Sequence, residues 1–295
     1  VLAFLRQRWF LFVLILVLLA GLGWPDAAKP IAGHLPSDAI VAIVTFVMAL
    51  PLETSALWKA VRRPGPAWLA SAINSGVAPP LGWLVSLALP PALAAGVITA
   101  TSVPCTLATA AVWTRRAGGN DAVAFLVTMI TNLWCFVVVP AWLWVLIGVR
   151  ADIDYGHIIH GLATLVVLPI IAAQMIRQWP PIGLRATAHK HALSHVAQCG
   201  VLLMVLIGAV TCGERLHGIS NHALLSPGNL ATMVVGVVAV HLTLWLLGLA
   251  SARRLGFDRN DAIAVAFSGS QKTLTVGIYL ALAVSPLAIL PMVAY

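Results

Sequence analysis

Apolar stretches of roughly twenty residues recur along almost the whole chain, separated by short polar turns. As helices, such stretches match the ~30 Å hydrocarbon core of a bilayer. Of the 295 residues, 61% are hydrophobic and 9% charged. No soluble domain fits anywhere, and the composition predicts an all-α polytopic membrane protein whose first partner is the lipid bilayer. The predicted spans are about 9–24, 38–58, 67–89, 91–112, 122–147, 158–175, 194–212, 229–250, 262–284 and 286–295. The tenth is too short to cross and reads as an incomplete helix. Arg6 and Arg8 before the first run resemble a signal peptide. Further spans follow, however, and the Gly23-Trp24-Pro25-Asp26 exit has no small-residue cleavage site.

The formal charge of +8 raises nucleic acid as a partner, but the placement of the basic residues excludes it. Thirteen of them (Arg6, Arg8, Lys59, Arg62, Arg63, Arg115, Arg116, Arg177, Arg185, Lys190, Arg253, Arg254 and Arg259) fall at the N-terminus and in alternate loops. Lys29, Arg150 and Arg215 fall in the opposite loops. Positive loops stay inside, so both termini are expected in the cytoplasm, in a bacterial-type inner membrane. Cys105, Cys135, Cys199 and Cys212 show no paired or metal-type spacing and read as small hydrophobes.

The remaining basic residue, Lys272, sits in the middle of an apolar segment, within Phe267-Ser268-Gly269-Ser270-Gln271-Lys272-Thr273. A lysine at the bilayer centre costs roughly 2.5–3.5 kcal/mol even on the lenient insertion scale, so it must face protein or a water-filled cavity. The glycine and small polar residues predict a helix that unwinds here. A second interruption, Thr99 to Thr106 around Pro104, lies in the fourth span. Proline there removes a backbone hydrogen bond, and the surrounding hydroxyls are expected to satisfy the freed carbonyls. The two breaks fall in the fourth span of each set of five. Five is odd, so the second set, 148–295, is expected to be inverted relative to the first, 1–147. Matching breaks in inverted halves point to a mid-membrane transport site. Asn120-Asp121-Ala122 and Asn260-Asp261-Ala262 look alike but precede spans that are not repeat mates. They read as chance or as similar helix-start chemistry.

Four stretches carry a resemblance: Thr101-Ser102-Val103-Pro104-Cys105-Thr106, Ala117-Gly118-Gly119-Asn120, Thr131-Asn132 and Gly269-Ser270-Gln271-Lys272. Together they resemble the bile acid:sodium symporter superfamily, in the bacterial branch similar to the seventh member of the human bile acid carrier family. The resemblance implies ten helices in two inverted repeats. Helices 1, 2, 6 and 7 would form a panel domain, and the other six a core domain in which broken helices 4 and 9 cross. It also implies two sodium ions behind the crossing and an organic anion between the domains. By position, one sodium set is Thr109, Thr128 and Thr131 or Asn132. The other is Asn74, Ser268 and Gln271. With Thr101, Ser102, Pro104, Thr106, Gly269, Ser270, Lys272 and Thr273, these are the expected substrate and ion residues. No cofactor is implied beyond Na⁺. Bile acid carriers have a glutamate where this chain has Phe267, and a neutral amide where it has Lys272. Both departures remove attraction for sodium.

Lys272 thus reads either as a structural ammonium tied to helix-end carbonyls or as a charge standing where a cation would bind. For Glu53 and His241 the plainer readings are an interfacial glutamate among basic neighbours and an imidazole bonded to a neighbouring helix. An enzyme needs paired carboxylates, a metal cluster or a nucleophile with its base, and none is present in the spans. The sequence predicts a secondary active transporter that moves an organic anion by alternating access, with cation coupling at modified sodium sites. The alternative is a transport-inactive or sodium-independent regulator of the same fold.

Overall fold

The computed structural model describes residues 2–53, 61–107, 109–148, 153–218 and 226–295, with side chains from Trp9 onward. Lys59, Arg150, Asp152, the stretch of the second span toward Trp58 and the side chains of Arg6 and Arg8 lie outside the described residues. So does the middle of the polar stretch 213–227. Every regular element among the described residues is helical.

Four helices are long and apolar enough to cross a membrane: α7 (Asp121–Leu146), α8 (Tyr155–Arg177), α10 (Lys190–His217) and α11 (Pro227–Arg254). A fifth crossing is formed if α1 (Leu2–Gly23) is counted with α2 (Pro25–Ala32), which bends away from it by 111°. The chain is therefore an all-helical, polytopic membrane protein. The expected stop before Pro25 is present, and the chain turns there into α2. Pro25 disfavours helix for the residue before it, and Trp24 leaves the helical region at φ −133°, ψ 61°. Lys29 of α2 then pairs with Glu214 at the end of α10, at 2.7 Å.

The remaining helices are shorter. They are α3 (Ser37–Ala49), α4 (65–86), α5 (Pro91–Ser102), α6 (Thr109–Arg116), α9 (Pro180–Ala188), α12 (Arg259–Ser270), α13 (Leu274–Val284) and α14 (Ile289–Ala294). Large apolar side chains such as Leu16, Trp144, Val235 and Leu246 remain exposed, as lipid permits, while Leu143, Leu162, Ile170 and Met204 are fully buried. Three of the four cysteines are buried as expected; Cys199 is exposed.

Helix α4 carries one π turn, Ile73–Val77. Its effect follows from the next two residues. The Ala78 N–H reaches back five residues to Ile73 O, and Pro79 and Pro80 have no N–H to give. The carbonyls of Asn74 and Ser75 are left without their usual helical partners and must find others. Trp142 Nε1 of α7 donates to Ser75 O at 2.7 Å. Asn74 O turns toward the two broken helices.

The look-alike tripeptides meet. Asn120 N donates to Asn260 O at 3.0 Å, and Asn120 Nδ2 to Asp261 Oδ1 at 2.8 Å. The helix-start reading holds for Asn120, whose side chain accepts from Ala122 N. At the other helix the cap is Asp258, which accepts from Asp261 N. The two bonds between non-equivalent groups of the tripeptides form a clasp between the starts of α7 and α12. Gly119 is required beside it, because a Cβ there would lie 2.6 Å from Ile263.

Candidate functional site

Both expected breaks are present, and they touch. After α5, Val103 is extended (φ −64°, ψ 154°), as a residue before proline prefers. Between α12 and α13, Gln271 and Thr273 are extended (ψ 144° and 124°). Thr273 N donates to Pro104 O at 3.0 Å, so one break supplies the donor that the other lacks.

The freed backbone groups can be followed one by one. On the first break, Asn132 Nδ2 donates to Cys105 O at 2.8 Å and Thr128 Oγ1 to Thr106 O at 3.2 Å. Cys105 N donates to Thr131 Oγ1 at 3.2 Å. All three partners lie on α7, on the face repeated by their spacing of three and four residues. On the second break, Asn74 Nδ2 lies 3.1 Å from Ser268 O, 3.4 Å from Gly269 O and 2.9 Å from Gln271 O. Tyr295 Oη donates to Ser270 O at 2.9 Å. His241 packs edge-on against that tyrosine ring.

Lys272 joins the breaks to α4. Its ammonium donates to Asn74 O at 2.6 Å, to Val103 O at 2.9 Å and to Asn74 Oδ1 at 3.3 Å. These interactions fix the orientation of the Asn74 amide. Reversed, its oxygen would face three carbonyls and its NH₂ would face an ammonium. Neither ion pair among the described residues involves Lys272, so no carboxylate offsets its charge there.

Some expectations are corrected. The hydroxyls beside the first break do not serve it. Thr99 donates to Ala95 O, Thr101 to Val97 O and Ser102 to Ile98 O, each four residues back, because a helical hydroxyl reaches its own preceding turn most easily. Ser270 likewise donates to Ala266 O. Gln271 offers its backbone oxygen to Asn74, while its side-chain Oε1 lies 3.4 Å from Thr109 Oγ1 rather than by Lys272. Thr109 also reaches Thr106 Oγ1 at 3.3 Å. Asn74, Thr106, Thr109, Thr128, Thr131, Asn132, Gln271, Lys272 and Thr273 are brought together at the crossing. Thr101 and Ser102 turn back into α5.

Two buried oxygens at the crossing, Asn132 Oδ1 and Ser268 Oγ, have no hydrogen-bond partner among the described residues. Val103 O and Tyr295 were not foreseen. The first had a signal in the Val-Pro step, since the residue before proline leaves the helix; the second had none. Two open cavities lie elsewhere. One of about 480 Å³ is lined by Glu214, Arg215 and Ser285, and none of the expected residues borders it. Another, of about 290 Å³ between α4 and α7, is bordered by Thr131 alone of that set.

Residues 8–295 match the SBF-like CPA transporter family. An uncharacterized protein of Pseudomonas aeruginosa, PA2026, is 31% identical over 67% of this chain and 60% of its own length. Sodium/bile acid cotransporter 7-B of Xenopus laevis is 25% identical over 93% of this chain and 81% of its own. Sodium/bile acid cotransporter 7 of Danio rerio is 24% identical over 92% and 82%. The chain thus spans less than two thirds of the Pseudomonas protein and about four fifths of the two vertebrate ones.

Proposed function

The chain belongs to the SBF-like CPA transporter family, and from that premise we propose that it is a secondary active transporter. In this reading it carries a small organic anion across the inner membrane by alternating access. The observation that carries the reading is the contact between the two breaks, Thr273 N to Pro104 O, with Lys272 bridging both to α4. A mid-membrane site made from broken helices has backbone groups to offer a ligand, and the half-helices α6 and α13 begin there with their positive ends. The uncompensated charge of Lys272 adds to that field and favours an anion.

The inverted arrangement is supported by helix pairs that recur with the halves exchanged. Helix α1 packs on α10, and α3 packs on α8. Helix α4 packs on α5, and α11 on α12. Helix α12 packs on α7, and α14 on α5. If α1, α3, α8 and α10 form the panel, a tight seal to the core runs through α13 and α14. A Cβ on Gly161 would lie 1.9 Å from Tyr279 Oη, and one on Gly208 would lie 2.8 Å from Ile289. With the orientation set by the basic loops, that seal lies in the outer half of the membrane.

For coupling, each expected ion set holds one unpartnered buried oxygen among the described residues, Asn132 Oδ1 or Ser268 Oγ, but only the second set has the Lys272 ammonium beside it. Thr109, Thr128 and Asn132 offer neutral oxygens, one of which, Asn132 Oδ1, is buried and unpartnered among the described residues. We assign a coupling Na⁺ to that set. The test is uptake of radiolabelled bile acid and other organic anions into proteoliposomes, with and without Na⁺ and H⁺ gradients. Saturable uptake that responds to a gradient is expected. Absence of uptake under every gradient would favour the regulator of the same fold.

A further inference from the structure

We infer that Lys272 is a tethered cation that occupies the second ion position, so that Asn74, Ser268 and Gln271 do not bind Na⁺ in this protein. The inference deepens the reading above and rests on it only for the ion assigned to Thr109, Thr128 and Asn132.

Donor and acceptor numbers carry the argument. A lysine ammonium has three hydrogens and no acceptor. Three oxygens stand around Nζ, from Asn74 O, Asn74 Oδ1 and Val103 O, at 2.6 to 3.3 Å. All three hydrogens are matched, two of them by carbonyls that the chain itself exposes, at the π turn of α4 and at the Val103-Pro104 step. Of the oxygens that the expected set would bring to an ion, Ser268 Oγ has no partner among the described residues and Gln271 Oε1 lies by Thr109, but the backbone and amide oxygens are taken. Ser268 O and Gln271 O face the amide hydrogens of Asn74, and the Asn74 oxygen faces Lys272. An entering Na⁺ would find Ser268 Oγ open but would otherwise meet NH₂ and NH₃⁺ groups. It would also meet a like charge a few ångströms away in a low-dielectric region, with no carboxylate paired to Lys272 among the described residues.

The same arithmetic gives Lys272 a limited part in recognition. With its hydrogens spent, it acts on a substrate through its charge and not through a hydrogen bond. A sodium ion leaves when the gradient falls, whereas a lysine is always present. The crossing therefore keeps its tethered amine and its shape in the absence of Na⁺.

The experiment is equilibrium binding of radioactive Na⁺ to the purified full chain, with choline holding ionic strength constant. The wild type is expected to bind no more than one Na⁺ per chain. Lys272→Asn shortens the side chain and removes the charge, freeing Asn74 O and Val103 O, and is expected to bind one Na⁺ more than the wild type. Two Na⁺ per wild-type chain overturn the inference, as does an unchanged count in Lys272→Asn. Should Lys272→Asn fail to fold, the wild-type count decides alone. Uptake is a separate readout. Two bound ions with active uptake sink this inference and leave the transporter reading standing, while one or none bound with no uptake does the reverse.

Discussion

Replacing Asn74 by leucine keeps the side chain near its original size and removes both of its polar roles. The amide hydrogens now serve carbonyls of Ser268, Gly269 and Gln271, and the amide oxygen accepts from Lys272. Two hydrogens can satisfy two of those carbonyls at a time, so two buried acceptors are orphaned. At ~1–3 kcal/mol for each, the loss is about 2–6 kcal/mol. Leucine recovers roughly 1–2 kcal/mol through added apolar burial, so mid-range values leave a net loss of about 2.5 kcal/mol. At roughly 2 °C per kcal/mol for a chain of this size, the melting temperature should fall by about 5 °C. Lys272 keeps Asn74 O, which is backbone, and so the crossing should loosen rather than collapse. The assay is thermal unfolding of the detergent-purified protein followed by tryptophan fluorescence, paired with uptake in proteoliposomes. A melting temperature within about 1 °C of wild type would refute the accounting of carbonyls at the second break, because the orphaned groups would then have found other partners.

Cysteines placed at Arg63, Arg116, Arg185 and Arg254 should be labelled from the cytoplasmic side only; labelling of any one from outside would overturn the orientation. Of the native cysteines, Cys199 should react with maleimide in the folded protein while Cys105, Cys135 and Cys212 react only after denaturation, as mass spectrometry would show. Gly161→Ala should lower thermal stability, and Tyr279→Phe should relieve part of that loss by removing the oxygen nearest the new methyl group. The hydrogen bond and the charge of Glu214 raise the Lys29 pKa. A raised folded pKa means that the stabilisation is present below the ordinary lysine range and is lost as pH rises through the folded value. Lys29→Met should therefore flatten the alkaline limb of a stability-versus-pH profile, and an unchanged limb would remove the pair from consideration.

Lys272 and Pro104 were legible because each violates the rule of its surroundings: a charge within an apolar run, and a residue without N–H inside a helix. Thr128, Thr131 and Asn132 were legible by resemblance, and their helical spacing then placed them on one face. Their partners were not legible. Which donor reaches which freed carbonyl depends on how helices distant in sequence pack, and nothing local at Tyr295 or Trp142 points to Ser270 or Ser75. The hydroxyls of Thr101 and Ser102 misled because sequence proximity to a break says nothing about direction. The Pro79-Pro80 pair is plain in the sequence, but its consequence, the release of the Asn74 and Ser75 carbonyls, depends on the π turn that precedes it. The likeness of the tripeptides at Asn120 and Asn260 was visible, but nothing local in either one points to the contact between them.

The bond from Lys272 to Val103 O spans 169 positions in the chain, and this separation bears on how the protein is made. A ribosome adding ~5–20 residues per second needs roughly 8–34 s between the two partners. For that interval the first broken helix has neither Lys272 nor the Thr273 N–H, and Val103 O and Pro104 O have no assigned donor. Bare carbonyls are poorly tolerated in hydrocarbon, so the early part of the chain must wait beside the insertion machinery, beside water or in a temporary fully helical form until α12 and α13 arrive. Premature release of a chain ending before Lys272 would leave a truncated protein whose first break lacks both donors, a natural substrate for membrane quality-control proteases.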